Sequence, residues 1–181
     1  GDSIHCPYHD WRFGPDGKCD NIPYHQGEIP AAACVKSWIV KESVGAVWVW
    51  HDPEGGEPDY DCPSVPEYDD PAWVRGPYDH LGMLNQHPQE VVDNICDYGH
   101  LNPIHGSFVE RYENEFKGHN ATQRQCGGHR TLVGADGVSA KLHTHTTYHG
   151  PGVLISYLTG MFETVLLISH TPVEDGSLKV W

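Results

Sequence analysis

With 181 residues, 38% of them apolar and six of them Trp, the chain has the length of one domain or two small ones and enough material for a core. Its formal charge of -14, from 25 Asp and Glu against 11 Lys and Arg, leaves no basic face for nucleic acid or an anionic membrane. No apolar run approaches the roughly 20 residues that span a bilayer, and no basic-then-apolar leader is visible. The six Cys (6, 19, 34, 62, 96 and 126) follow no repeated framework. Reduced thiols in a cytoplasmic protein, some of them used for metal, are expected rather than a disulfide scaffold. The chain begins at Gly1 without Met, reaches a ligand-type motif by Cys6 and stops at Trp181 within a predicted strand, so it is expected to be an internal fragment.

Residues 1–24 read as loop, with Gly14-Pro15-Asp16-Gly17 as a tight turn. Residues 36–40 and 44–50 are β-branched and aromatic and predict an antiparallel pair separated by Lys41-Glu42-Ser43. From 52 to 79 the chain is acidic and rich in Pro, which predicts a surface linker. The strongest helical pattern covers 88–101: His87 or Asn85 can cap it, Pro88 stands in the first turn, Gln89-Glu90 follow, and Pro103 ends it. Five strands are predicted beyond Gly118, at 130–133, 140–148, 153–158, 164–170 and 178–181, with turns at Gly134-Ala135-Asp136-Gly137 and Gly150-Pro151-Gly152. The expected fold class is α+β, an antiparallel meander packed on a helix.

Two clusters carry chemistry. Cys6-Pro7-Tyr8-His9 offers a thiolate and an imidazole two residues apart on a loop. An iron–sulfur cluster needs thiolates, and imidazoles in place of two of them raise its potential by hundreds of millivolts. Tyr8 and Trp11 would shield such a cluster from water. The same pair is equally half of a zinc site, with Cys19 as a possible third ligand. His5 and His25 read as plain loop histidines.

The second cluster is Asn94-x2-Asp97-x2-His100-x4-His105. Three-residue spacing puts Asn94, Asp97 and His100 on one face of the predicted helix, and Pro103 lets His105 turn back toward His100. Two imidazoles and a carboxylate with open positions are the ligand set of an oxygen-activating non-haem iron(II). Asp97 lies too near His100 in sequence to share its metal easily, so it is read as the carboxylate that accepts the His100 ring N–H. Glu110, Glu113, Asp136 and Glu163 are all available as the third ligand, and none stands out. The alternative is that the two histidines are helix-end residues that bind nothing.

Together the motifs resemble a family. His5-Cys6-Pro7-Tyr8-His9-Asp10-Trp11-Arg12-Phe13, with Lys18-Cys19 and Ile22-Pro23-Tyr24 after it, is similar to the second half of the Rieske motif of ring-hydroxylating oxygenases. Asn94, Asp97, His100 and His105 match the mononuclear-iron motif of the same proteins. Asp10 in place of the commoner Gly, the stretch from Lys36-Ser37-Trp38 to Glu54-Gly55, and Phe116-Lys117-Gly118-His119-Asn120-Ala121-Thr122-Gln123 resemble the oxygenase component of 3-ketosteroid 9α-hydroxylase. Sterol 7-desaturase relatives fit Val35-Lys36-Ser37-Trp38 and Thr171-Pro172-Val173 about as well.

The resemblance implies the C-terminal part of a Rieske [2Fe-2S] β domain at 1–60, an acidic Pro-rich linker at 61–80, and at 81–181 part of a helix-grip catalytic domain, an antiparallel sheet curved around long helices. It implies Cys6 and His9 as cluster ligands, His100 and His105 as ligands of mononuclear Fe(II), Asp97 as the electron bridge between subunits, and Asn94 in support. The activity implied is terminal hydroxylation of a small apolar, steroid-like or polycyclic substrate. It uses O2 and electrons from NAD(P)H through a ferredoxin reductase-type partner, in a homotrimer. Desaturation of a sterol, or dioxygenation of an aromatic ring, would use the same parts. The remaining Cys and His of the cluster and the Asp of the iron site would lie outside these residues, so the chain alone is expected to be inactive. A Rieske electron carrier or a zinc module are the readings from other classes. Leu154, Ile155, Tyr157, Leu158, Met161 and Phe162 are available to line a cavity, although core packing explains most of them equally well.

Overall fold

The computed structural model describes residues 2–134, 136–138, 140–160 and 162–181. It divides into two compact units, Gly1–Asp59 and Tyr60–Trp181.

The first unit is built from short strands. β1 (Ile4–His5), β2 (Arg12–Phe13) and β3 (Cys19–Asn21) form an antiparallel sheet in that order. The predicted Gly-Pro-Asp-Gly turn joins the last two: Gly17 N–H donates to Gly14 O at 2.9 Å, and Gly17 adopts φ 76°. A Cβ at Gly17 would stand 2.7 Å from the Val35 carbonyl oxygen, so glycine is required there for both conformation and space.

β4 (Val40–Ser43) pairs with β5 (Ala46–Val49) in a hairpin. Its turn is Val44-Gly45, three residues beyond the predicted position. This turn has positive φ at both central residues, as the type I′ hairpin requires, which Gly45 supplies without cost and Lys41-Glu42-Ser43 does not. Val44, at φ 49°, is the strained partner and is buried.

The second unit is a seven-stranded antiparallel sheet ordered β6-β12-β11-β10-β9-β8-β7. Its strands are β6 (Gly82–Leu84), β7 (Ser107–Lys117), β8 (Asn120–His129), β9 (Leu142–His149), β10 (Val153–Gly160), β11 (Thr164–Glu174) and β12 (Ser177–Val180). Four predicted strands appear with adjusted ends. The strand predicted at 130–133 is absent: those residues lie past the end of β8 in the connection to β9, and the β7–β8 hairpin before them was not disclosed by the sequence. That hairpin buries Ala121, Thr122 and Gln123 rather than a row of large apolar residues, and Arg124 on β8 pairs across it with Glu115 on β7 at 2.9 Å. Period-two hydrophobicity is weak in such a pair.

One helix, α1 (Pro88–Asn94), lies against the sheet. Ile95 just beyond its end packs with Ala121 of β8 and Tyr148 of β9, and Val91, Val92 and Leu154 surround them. Strand alternation therefore assigns Leu154, Ser156 and Leu158 to the helix-bearing face, and Ile155 and Tyr157 to the opposite face. The apolar side chains nominated for one cavity are split between two faces; Met161 lies outside the described residues. On the opposite face, Tyr157 Oη donates to Glu67 at 3.3 Å. The Tyr60 ring stacks on His119 at 3.9 Å between centroids.

The predicted helix 88–101 is confirmed only over its first half. It starts as expected, with His87 Nδ1 accepting from Gln89 N–H at 3.1 Å and Pro88 in the first turn. It ends at Asn94, and Asp97 and His100 lie on consecutive turns beyond it, not on its face. Among the described residues, helix amounts to these seven residues and a separate 3-10 turn at Pro66–Tyr68, where long helices were expected.

Candidate functional site

Cys6 and His9 share a loop closed by its own backbone. Cys6 N–H donates to Trp11 O at 2.8 Å, and Asp10 N–H donates to Cys6 O at 2.9 Å. Asp10 makes the closure by adopting φ 60°, a region that glycine enters freely and Asp tolerates better than most residues. A glycine after the Rieske histidine is explained by that dihedral angle. Asp10 Oδ1 also lies 3.1 Å from His5 Nδ1, which ties the histidine set aside as a plain loop residue into the turn. Trp11 Nε1 donates to Tyr24 Oη at 2.6 Å and anchors the far side of the loop. Tyr8 is 83% exposed and packs edge-on against the His9 ring, so among the described residues it shields nothing but that histidine. Cys19, the third ligand of the zinc reading, is buried in β3 with its Sγ directed to Asn21 O at 3.4 Å.

The second site is built by chain reversal. The turns from Ile95 to Gly106 bring the His100 and His105 rings to 5.0 Å between centroids, at 73° to each other. Ile104 N–H donates to His100 O and Gly106 N–H to Asn102 O, each at 2.9 Å. Gly106, at φ 70°, turns the chain into β7. A Cβ there would meet Arg130 Cβ at 3.2 Å, and Arg130 Nη2 donates to Asn102 O at 3.1 Å. The reversal that Pro103 was expected to permit is present, held by Gly106 and Arg130.

Asp97 divides its carboxylate. Oδ1 accepts the Gly99 N–H at 2.8 Å, and Oδ2 lies 3.3 Å from His100 Nδ1. The His100 side chain is 14% exposed and that of Asp97 58%. The His100 approach misses hydrogen-bond alignment, and Nδ1 is a buried nitrogen with no hydrogen-bond partner. The short distance and the missing bond agree if a small ring rotation completes the contact, which would fix the proton on Nδ1 and leave Nε2 free to ligate. Burial, and then the neighbouring His100 and His129, hold the His105 imidazole below the usual histidine range. A neutral imidazole is the ligating form. Asn94 is exposed, and what it gives the turn is its backbone carbonyl, which accepts from Asp97 N–H at 3.3 Å.

Four residues of this neighbourhood escaped the sequence reading. His129 is one: it influences His105, yet its Nδ1 accepts from Thr131 N–H at 3.1 Å. Gly99, Tyr112 and Gln123 are the others; the stretch containing Gln123 carried part of the family likeness without a role. The third-ligand candidates are engaged elsewhere or exposed. Glu110 pairs with Lys141 and Glu113 with Arg111, each at 2.6 Å. Asp136 Oδ1 accepts from Val138 N–H at 3.0 Å, and Glu163 is exposed between β10 and β11.

Among the described residues, no group of three His, Cys, Asp or Glu is placed to hold a metal. The donors present therefore fit part of each group: one thiolate and one imidazole for a Rieske cluster, and two imidazoles with an outer carboxylate for ferrous iron.

Comparisons with known proteins assign the two parts of the chain to two families. Residues 1–39 match the Rieske [2Fe-2S] domain family, and residues 49–181 match the 3-ketosteroid 9α-hydroxylase C-terminal domain family. The chain is 36% identical to a 3-ketosteroid-9-alpha-monooxygenase oxygenase component of Rhodococcus rhodochrous, over 97% of its own length and 48% of the relative's. A counterpart from Mycolicibacterium smegmatis is 33% identical over all of this chain and 50% of the relative. A cholesterol 7-desaturase of Bombyx mori is 37% identical over 62% of this chain and 25% of the relative. The chain thus spans about half the length of the oxygenase components it matches. Apo dicamba monooxygenase shares the fold, with a TM-score of 0.70 at 21% identity over 98% of this chain and 57% of that one. The two matched domain families in chain order, and a third of all residues shared over the whole length, place this chain in the 3-ketosteroid 9α-hydroxylase family of Rieske oxygenase components.

Proposed function

We propose that the chain serves within a terminal oxygenase, fed by a ferredoxin reductase-type partner from NAD(P)H, that hydroxylates a steroid-like or polycyclic apolar substrate with O2. The observation that carries this reading is the His100–His105 pair at 5.0 Å with the Asp97 carboxylate 3.3 Å behind one ring. When bound, the [2Fe-2S] cluster would supply electrons one at a time, and ferrous iron would supply the site at which O2 is activated.

The chain's own residues have the following roles in this reading. Cys6 would hold one iron of the cluster through its thiolate and His9 the other through its imidazole. His100 and His105 would present neutral imidazoles to the ferrous ion. Asp97 would accept the His100 Nδ1 proton in a hydrogen bond, orient that ring, and offer its exposed edge to the neighbouring subunit of a trimer. Asn94 would steady the turn through its carbonyl. Residues 1–60 would belong to the Rieske domain, 61–80 to the acidic connection and 81–181 to the catalytic domain, each completed by segments beyond these residues. Leu154, Leu158, Leu166 and Ile168, on the helix-bearing face, would form one wall for the substrate. A cytoplasmic setting accords with six cysteines that are all free thiols.

The match to a cholesterol 7-desaturase supports a second reading, sterol desaturation at the same iron. Metal analysis of the full-length protein tests the class. About three irons and labile sulfide per subunit are expected; about two irons would indicate an electron carrier, and zinc a structural module. Product analysis on a 3-ketosteroid and on a sterol then separates hydroxylation from desaturation.

A further inference from the structure

We propose that Tyr112 and Gln123 are positioning residues that set the geometry of Asp97 by capturing the carbonyl of Ile95. The inference rests on the reading of Asp97 as the bridge beside the iron ligands. The carbonyl in question belongs to the residue directly after α1. In a helix that continued, Ile95 O would accept the N–H of the residue four places on, Gly99. The sheet intervenes instead. Tyr112 Oη, from β7, donates to Ile95 O at 2.6 Å, and Gln123 Nε2, from β8, donates to it at 3.2 Å.

The acceptor that Gly99 would have used is therefore occupied. Gly99 N–H is released and donates to Asp97 Oδ1 at 2.8 Å, which leaves Oδ2 3.3 Å from His100 Nδ1. The chain has already tightened to three-residue bonds at the carbonyls of Val92, Asp93 and Asn94, so what the captured Ile95 carbonyl decides is where a glycine N–H points and which way a carboxylate faces.

The two donors are themselves fixed. Gln123 is 6% exposed, and burying its amide without a partner would be costly. Tyr112 Oη accepts from Asn114 Nδ2 at 3.3 Å, and its ring meets Tyr98 edge-on at 5.4 Å. Tyr98 follows Asp97 directly, so the same tyrosine holds both ends of the turn. Both side chains act on Asp97 through the Ile95 backbone carbonyl.

The test compares wild type with Tyr112→Phe, Gln123→Leu and the double variant. Tyr112→Phe keeps the ring and its contact with Tyr98 and removes only the donor, so it carries the test alone if a Gln123 variant does not fold. The first readout needs no metal: the Gly99 amide proton in the NMR spectrum of the metal-free protein. Its resonance is expected to move in the variants toward its position in Asp97→Ala, because the charge-assisted bond to Oδ1 is weakened. An unmoved Gly99 resonance overturns the proposal.

The second readout uses the full-length protein with both metals. On mixing the reduced protein with O2 and substrate, oxidation of the Rieske cluster is expected to slow by about 10-fold or more in the double variant, with iron content unchanged. The slowing should not add to that of Asp97→Asn, since both act through one carboxylate. A wild-type rate, or a fall in thermal stability alone, also overturns the proposal. A wild-type protein that binds no second iron contradicts the proposed function, while leaving the Gly99 measurement to decide the clamp.

Discussion

The two half-sites are held in different ways. The Cys6–His9 loop closes on itself: its backbone bonds join Cys6 to Trp11 and Asp10 to Cys6 within six residues, and its farther anchor, Trp11 to Tyr24, spans only 13. The Asp97–His105 segment is held from outside, by Tyr112 at 17 residues' separation from Ile95 and Gln123 at 28, and by Arg130 at 28 from Asn102. A local loop can be moved between proteins as a short motif. A segment held by a sheet keeps its geometry only while the sheet does, so its fine adjustment is spread over residues that never meet the metal.

The largest test of that contrast removes ligands. In the full-length protein, His100→Ala or His105→Ala should abolish product formation, a loss of more than about 100-fold, and retain the Rieske EPR signal. Cys6→Ser should erase that signal and leave the second iron in place. Loss of both metals from either variant would mean that the sites are not independently held.

Next in size is the backbone at the reversal. Gly106→Ala places a Cβ against Arg130 at φ 70° and should cost about 1–2 kcal/mol, read as a lower denaturation midpoint, and also weaken iron binding by moving His105. An unaltered midpoint would show that the turn tolerates a side chain and that Arg130 gives way.

A smaller effect concerns acid. His149 on β9 and His170 on β11 are partly and fully buried, and burial, the first cause for each, pushes their imidazoles below the ordinary range. His170 is 4% exposed, with the Tyr148 hydroxyl 2.9 Å from its Nδ1. Unfolded, these groups take up a proton near pH 6.5, and folded only at lower pH. The unfolded state then binds more protons, so stability is full above about pH 6.5 and is lost as the pH falls through the folded values. The urea midpoint should therefore be lower at about pH 5.5 than at about pH 8. Equal midpoints would put these imidazoles in contact with water.

The smallest effect belongs to the local loop. Asp10→Gly relieves φ 60° and gives up an exposed contact with His5, so stability should change by less than about 1 kcal/mol. A large loss would assign Asp10 a long-range role that the loop does not display.

How much could be read from the chain follows the same division. Cys6, His9, His100 and His105 could be nominated as candidate ligands because ligand spacing is a local property, and the reversal at Pro103 followed from a residue that cannot continue a helix. The β7–β8 hairpin was not, because its buried positions are Ala121, Thr122 and Gln123 and its outer face is charged. The helix end was misplaced for a related reason. Periodicity predicted helix to residue 101, but the bonds tighten to three-residue spacing from Val92 O onward, and the next carbonyl, Ile95 O, is taken by side chains 17 and 28 residues away, which no local window contains. Asp10 was noticed as a departure from the family's glycine, and its meaning appeared only with the dihedral angle.

Replacing Asp97 by Asn in the full-length protein tests the central claim most directly, because it preserves shape and removes the charge behind His100. The expected result is a protein with both metals in place whose reduced Rieske cluster is no longer oxidised when O2 and substrate are added. Cluster oxidation and product formation at the wild-type rate would contradict the account.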